Sequence, residues 1–219
     1  MQFSGPHLNL WKKNLGVIPE SLWEHAELET LVLADNNLHE LSPGISRLQN
    51  LRMLDLGHNQ LTEIPSALGE LVNLTDFLYL HDNKLTDLPS ELKKLIRLRY
   101  LNLSENQFAQ IPECVSAMSG LFELRSDDNR IAELPASLTH LPKLRELHLR
   151  NNLLTTLPAE IANLRELRQL DLRGNPIAHL PSELAALPRL EKLDLRWVST
   201  LEPPPWFAKL AANGCLIYR

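Results

Sequence analysis

LRMLDLGHNQLTEIPSALGELVN, residues 51–73, decides how this chain folds. Leu54 and Leu56 alternate with Met53 and Asp55, the period of a strand that buries one face. Asn59 and Leu61 follow, then Ile64 and Pro65, then Leu68 and Leu71 at the spacing of a short helix with one apolar edge. The same Leu-x-x-Leu-x-Leu-x-x-Asn order starts at Leu28, Leu51, Leu74, Leu98, Leu121, Leu144, Leu167 and Leu190. Successive starts lie 23 residues apart, except that Leu74 to Leu98 takes 24. A partial unit, HLNLWKKNLGVIP, precedes them with Leu8 and Leu10 as its strand pair. A unit of this size buries its apolar side only by stacking on copies of itself.

NQLTEIPSALGELVN and NLLTTLPAEIANLRE resemble the short N-x-L-x-x-LP-x-x-L-x-x-L class of leucine-rich repeats. That class occurs in bacterial leucine-rich repeat proteins, plant intracellular Ras-group-related proteins and Ras-pathway scaffolds. The resemblance covers nearly the whole chain. It implies an α/β fold: a right-handed solenoid, or horseshoe, with a parallel concave sheet and short convex helices or 3₁₀ turns. It also implies protein binding, and it brings no catalytic residues. The expected division is a partial repeat and cap over 1–27, repeats of about 23 residues over 28–197, and a C-terminal cap over 198–219.

Physical chemistry supports the same layout. The two strand leucines enter the core while their neighbours face solvent. Asn36, Asn59, Asn83, Asn106, Asn129, Asn152 and Asn175 recur at a constant offset, where a side-chain amide satisfies backbone groups as the chain turns inward. Pro65, Pro89, Pro112, Pro135, Pro158 and Pro181 are expected at the first helical position. Ser126 replaces a core leucine, and Phe108 in the preceding unit is expected to refill that space. At the end of the stack, Trp206, Phe207, Leu210, Leu216 and Ile217 are expected to cover the last rung, with Cys215 buried and inert. Phe3, Trp11 and Trp23 are expected to shield the first. A monomer is expected, with self-association through the open strand edge near Leu8 as the alternative.

Composition narrows the function. Lys and Arg number 22 against 27 Asp and Glu, a net charge of −5, which argues against a nucleic-acid partner. No run approaches the apolar length of a membrane helix, and MQFSGPHLNLWKKNL does not read as a secretory leader. Cys114 and Cys215 match neither a metal spacing nor a disulfide framework, so a reducing cytoplasm is the expected compartment. No phosphate loop, nucleophile elbow or kinase motif is present; the expectation is a non-enzyme without cofactor or metal. His58, His81 and Asp82 form the remote alternative, a metal-dependent or small-ligand-binding protein, and His148 beside Glu146 a remote catalytic base.

Binding is therefore expected on the outward strand positions. Met53, Phe77, Tyr79 and Tyr100 cluster on consecutive rungs with Phe122 nearby, an apolar patch of the kind that marks interfaces. Asp82, Glu105 and Asp127 (with Asp128) are expected as an acidic strip beside it, and Arg150 and Arg173 (with Arg196) as a basic ladder further along. The extra residue in LTDFLYLHDN, 74–83, is expected to form a bulge between Leu74 and Asp76, leaving Phe77 and Tyr79 on the concave face. The expected function is a scaffold or signalling adaptor that binds a partner protein there. The alternative is a recognition arm for a kinase or GTPase on a separate chain.

Overall fold

The computed structural model describes residues 5–219. Ten three-residue strands form a single parallel sheet in sequence order. They are β1 (His7–Asn9), β2 (Thr30–Val32), β3 (Met53–Asp55), β4 (Phe77–Tyr79), β5 (Tyr100–Asn102), β6 (Glu123–Arg125), β7 (Glu146–His148), β8 (Gln169–Asp171), β9 (Lys192–Asp194) and β10 (Leu216–Tyr218). Their central residues pair in register: Leu8, Leu31, Leu54, Leu78, Leu101, Leu124, Leu147, Leu170, Leu193 and Ile217. The result is a right-handed horseshoe whose leucines form one continuous buried cluster.

The return segments between β1 and β9 are five-residue 3₁₀ helices, from Glu20–Glu24 to Ser182–Ala186. This settles the choice between α-helix and 3₁₀ in favour of the tighter form. Proline stands one position earlier than its sequence context suggests. Pro65, Pro89, Pro112, Pro135, Pro158 and Pro181 are N-caps, with φ between −56° and −67° and extended ψ. Each proline carbonyl accepts the first turn's hydrogen bond, as from the Leu68 amide to Pro65 at 3.0 Å. The fixed φ of proline suits an extended cap as well as a helical first residue. Only Pro43, preceded by the Ser42 cap, takes the first helical position.

The asparagine ladder is buried and saturated. Asn59 Nδ2 donates to the Leu33, Leu56 and Gly57 carbonyls, and its Oδ1 accepts the Asn36 and Leu38 amides. One amide thus ties two consecutive units together. The residue before each ladder asparagine is left-handed, with φ from 49° at Asp82 to 68° at Gly174. There the chain turns, and its amide still reaches the next rung, as His58 N–H does to the His81 carbonyl at 3.0 Å.

The ends are closed unequally. Helix α1 (Phe207–Ala212) is followed by left-handed Gly214, and β10 adds to the sheet beside β9. Phe207, Leu210 and Cys215 are buried, and burial pushes the Cys215 thiol up, as expected of an inert cap cysteine. Leu216, expected to cover the last rung, instead points outward and is 60% exposed, because odd and even residues of β10 face opposite sides. At the other end Trp23 is fully buried against Gly44, where an added Cβ would meet its ring at 2.6 Å. Trp11, expected to shield the first rung, is exposed, since it follows Leu10 on the solvent side of the turn. Phe3 lies outside the described residues. Ser126 and Phe108 are both fully buried, and the Phe108 amide donates to Asn129 Oδ1 in the serine's own unit.

Candidate functional site

The long unit shows how its extra residue is absorbed. In ordinary rungs one carbonyl accepts two successive amides, as Glu29 does from Arg52 and Met53, and Arg99 from Phe122 and Glu123. Around β4 this pairing splits: the Asp76 amide donates to the Arg52 carbonyl, while the Thr75 carbonyl accepts the Arg99 amide. Thr75 and Asp76 together fill one slot, with Asp76 pinned to Arg52 at 3.2 Å. The strand register resumes at Phe77, opposite Met53.

Beyond this bulge the aromatics converge. Phe77 and Tyr79 stack with centroids 5.8 Å apart and planes 11° from parallel, and Tyr100 lies 5.5 Å from Phe77 and 5.1 Å from Tyr79. Phe77 is exposed; Tyr79, Tyr100 and Met53 are half-buried. Burial pushes the Tyr100 phenol up to about 12 and raises that of Tyr79 as well, so both remain neutral hydrogen-bonding groups at physiological pH. Phe122 sits off the strand, with the Arg99 and Arg145 guanidinium groups over its ring at 5.0 and 4.9 Å. Together with Phe77, Arg99, Tyr100, Asp76 and Glu123 it lines a hollow of about 240 Å³. Two guanidinium groups at this distance hold a phenyl ring by cation–π attraction.

The charged residues are less free than their sequence positions suggest. Asp127 is buried beneath the strip, accepting the Arg150 amide at 2.7 Å, while its own amide donates to Ser104 Oγ. Burial raises its carboxyl above the ordinary value, against the Arg150 amide and the His148 charge. It organises the turn instead of facing a partner. Arg150 pairs with Asp128 at 2.7 Å, Arg173 with Asp171, and Arg196 with Asp194 at 2.8 Å. The basic ladder is thus neutralised from within. Asp82 and Glu105 are exposed on the rim. The metal alternative does not converge. His58 turns Nδ1 to Asp82 at 2.7 Å and Nε2 to His81 at 3.2 Å, so its two nitrogens are separately engaged by consecutive residues of the next unit. The His81 ring lies over Gly57, where a Cβ would approach it to 2.3 Å, and burial, then His58, lowers its pKa.

This geometry meets a family assignment from sequence. A leucine-rich-repeat family model matches residues 26–85, 127–177 and 142–197, more than half of the chain, and a two-copy model of the repeat matches 76–113. The chain belongs to the leucine-rich repeat family. Its repeats are of the bacterial type. The leucine-rich repeat domain of the type III effector XopL superposes with a TM-score of 0.83 at 25% identity, over 97% of this chain and 75% of that one. The Leptospira interrogans protein LIC12759 gives 0.74 at 26% identity, over 97% of this chain and 65% of that one. The ectodomain of the Arabidopsis thaliana membrane receptor kinase GASSHO1/SCHENGEN3, in complex with Casparian strip integrity factor 2, gives 0.75 at 30% identity. This chain covers 92% of its own length there, but only 25% of the receptor's. The leucine-rich repeat protein therefore spans less than two thirds of the Leptospira protein and a quarter of the plant ectodomain.

Two features of this leucine-rich repeat protein escape a reading by rungs. Phe122 gains its two guanidinium neighbours from Arg99 and Arg145, each the residue before a strand in the flanking units. Glu123, Glu146 and His148 bring three ligand-type atoms within 4.8 Å of one another. The sequence signal for both was present: residues at one repeat offset, 23 apart, become neighbours.

Proposed function

We propose that this leucine-rich repeat protein is a non-catalytic interaction module that binds a partner protein on its concave face, centred on β3 to β6. The observation that carries the reading is the contiguous Phe77–Tyr79–Tyr100 cluster, open to solvent beside the Phe122 hollow. Solvent-facing aromatics are costly to leave uncovered and are enriched at energetic centres of interfaces. Met53 extends the anchor, and Asp82 and Glu105 on the rim favour basic groups in the partner. The internally paired arginines carry little of the recognition, because exposed ion pairs exchange partners for little gain. A sheet held at every rung binds with little ordering cost on its own side. Support comes also from similar plant receptors: the GASSHO1/SCHENGEN3 ectodomain in complex with Casparian strip integrity factor 2, and the peptide hormone receptor RGFR1 in complex with RGF2.

The cellular role that fits this reading is a cytoplasmic scaffold or signalling adaptor, acting on proteins and not on nucleic acid or membrane. The second reading is a recognition arm serving a kinase or GTPase effector on a separate chain; the GASSHO1/SCHENGEN3 ectodomain, part of a membrane receptor kinase, pairs such repeats with a kinase within one protein. Partners captured from native lysate and identified by mass spectrometry provide the assay. Tyr79→Ala with Tyr100→Ala should weaken their affinity by about tenfold or more, since two anchors each contribute on the order of 1–2 kcal/mol. The melting temperature should change by only a few degrees. Wild-type affinity in that double variant would remove the aromatic cluster as the site.

A further inference from the structure

The concave face carries a second arrangement, beginning on the rung next to Tyr100. Glu123 and Glu146 occupy the first outward position of β6 and β7 and are direct register partners. Like charges facing each other across neighbouring strands repel, so an arrangement of this kind calls for a compensating cation. Arg125 supplies one on the Glu123 side, with Nε 2.6 Å from Oε1. On the other side, the β8 neighbour of Glu146 is the uncharged Gln169. Glu146 faces only the His148 imidazole, whose Nε2 is 3.3 Å from its Oε2 and 3.8 Å from Glu123 Oε1. The three side chains are 13–33% exposed, so they are partly stripped of water yet reachable.

Those separations suit a metal ion. Imidazole nitrogen and carboxylate oxygen bind zinc at about 2.0–2.2 Å, which places neighbouring ligands of a tetrahedral site about 3.4 Å apart. The observed 3.3 and 3.8 Å bracket that spacing, and small rotations of the two glutamates close the remainder. The backbone beneath is fixed by parallel pairing on both sides, which holds the donors in place before the ion arrives. One imidazole with two carboxylates selects a borderline divalent transition ion over calcium, which prefers six to eight oxygens.

We propose that Glu123, Glu146 and His148 form a binding site for a divalent transition-metal ion of the zinc type. The site leaves a fourth position open toward the concave groove, and it shares Glu123 with the wall of the Phe122 hollow. It replaces the His58/His81/Asp82 trio, whose atoms do not share a centre.

Zinc alone is the probe, titrated calorimetrically into the metal-free chain, with cobalt(II) absorption reporting the ligand geometry. Wild type should bind one ion per chain with a rise in melting temperature, and calcium should not substitute. His148→Gln and Glu146→Gln, each folded by circular dichroism without metal, should weaken binding about tenfold or more, and His58→Gln should not. Arg125→Gln should tighten it about tenfold, because a charge-assisted hydrogen bond no longer competes for Glu123. No zinc binding by wild type, binding unaffected by His148→Gln and Glu146→Gln, or weaker binding in Arg125→Gln would overturn the site.

Discussion

A single backbone angle accounts for much of what looked like charge patterning. The residue before each ladder asparagine must be left-handed, and the occupants include Asp35, Asp82, Asp128 and Asn151. Asp and Asn tolerate that region far better than most side chains. Their recurrence is therefore a conformational choice first, and the acidic strip is partly its by-product. Glu105, at φ 56°, has no such excuse. It is exposed and stands beside the aromatic rungs, within reach of a partner bound as proposed. Glu105→Asn should raise stability by about 0.5–1 kcal/mol in urea unfolding, because asparagine relieves the left-handed strain. The same change should weaken partner binding. A fall in stability would show that Glu105 is held by contacts within the fold.

At the scale of an element, the bulge at Thr75–Asp76 separates structural from functional demand. The flanking core leucines Leu74, Leu78 and Leu80 are all fully buried, so stacking does not need the extra residue. Its visible effects are the divided hydrogen bonds of Thr75 and Asp76 and the exposed Phe77 that follows. Bulges of this kind re-aim side chains, and they recur beside binding sites. Deleting Thr75 restores a 23-residue step. The variant should melt cooperatively at or slightly above the wild-type temperature, since one carbonyl then accepts both amides as in other rungs. Its affinity for captured partners should drop several-fold as Phe77 is redirected. Loss of cooperative unfolding on calorimetry would instead make the bulge a structural necessity.

For the whole molecule, stability is a sum over neighbouring rungs. Strand and asparagine ladders link each unit only to those beside it, and the apolar end faces must be covered. Phe207, Leu210 and Cys215 meet that need beyond β9. Removing residues 199–219 should uncover Leu193 and Leu195, lower the melting temperature by many degrees and promote association through the freed β9 edge. Size-exclusion chromatography with light scattering checks this. A monomer of unchanged stability would show that the stack closes before α1.

The sequence by itself determined the horseshoe. Leucines at fixed offsets have no way to leave water except by stacking, and a buried asparagine needs backbone partners that only the inward turn offers. It also determined the bulge and the aromatic row, because strand alternation fixes which side each residue faces. Tertiary structure alone decided how far each polar group is available. Asp127 and Glu105 occupy adjacent rungs of the same apparent strip, yet one is buried under the Arg150 amide and the other reaches solvent. The arginine ladder is tied to Asp128, Asp171 and Asp194. Glu123, Glu146 and His148 meet because parallel pairing puts residues 23 apart side by side, and their side chains then bend toward a common point. Periodicity specifies the direction of a side chain; which neighbour it finds depends on rotamers and on charges arriving from other rungs.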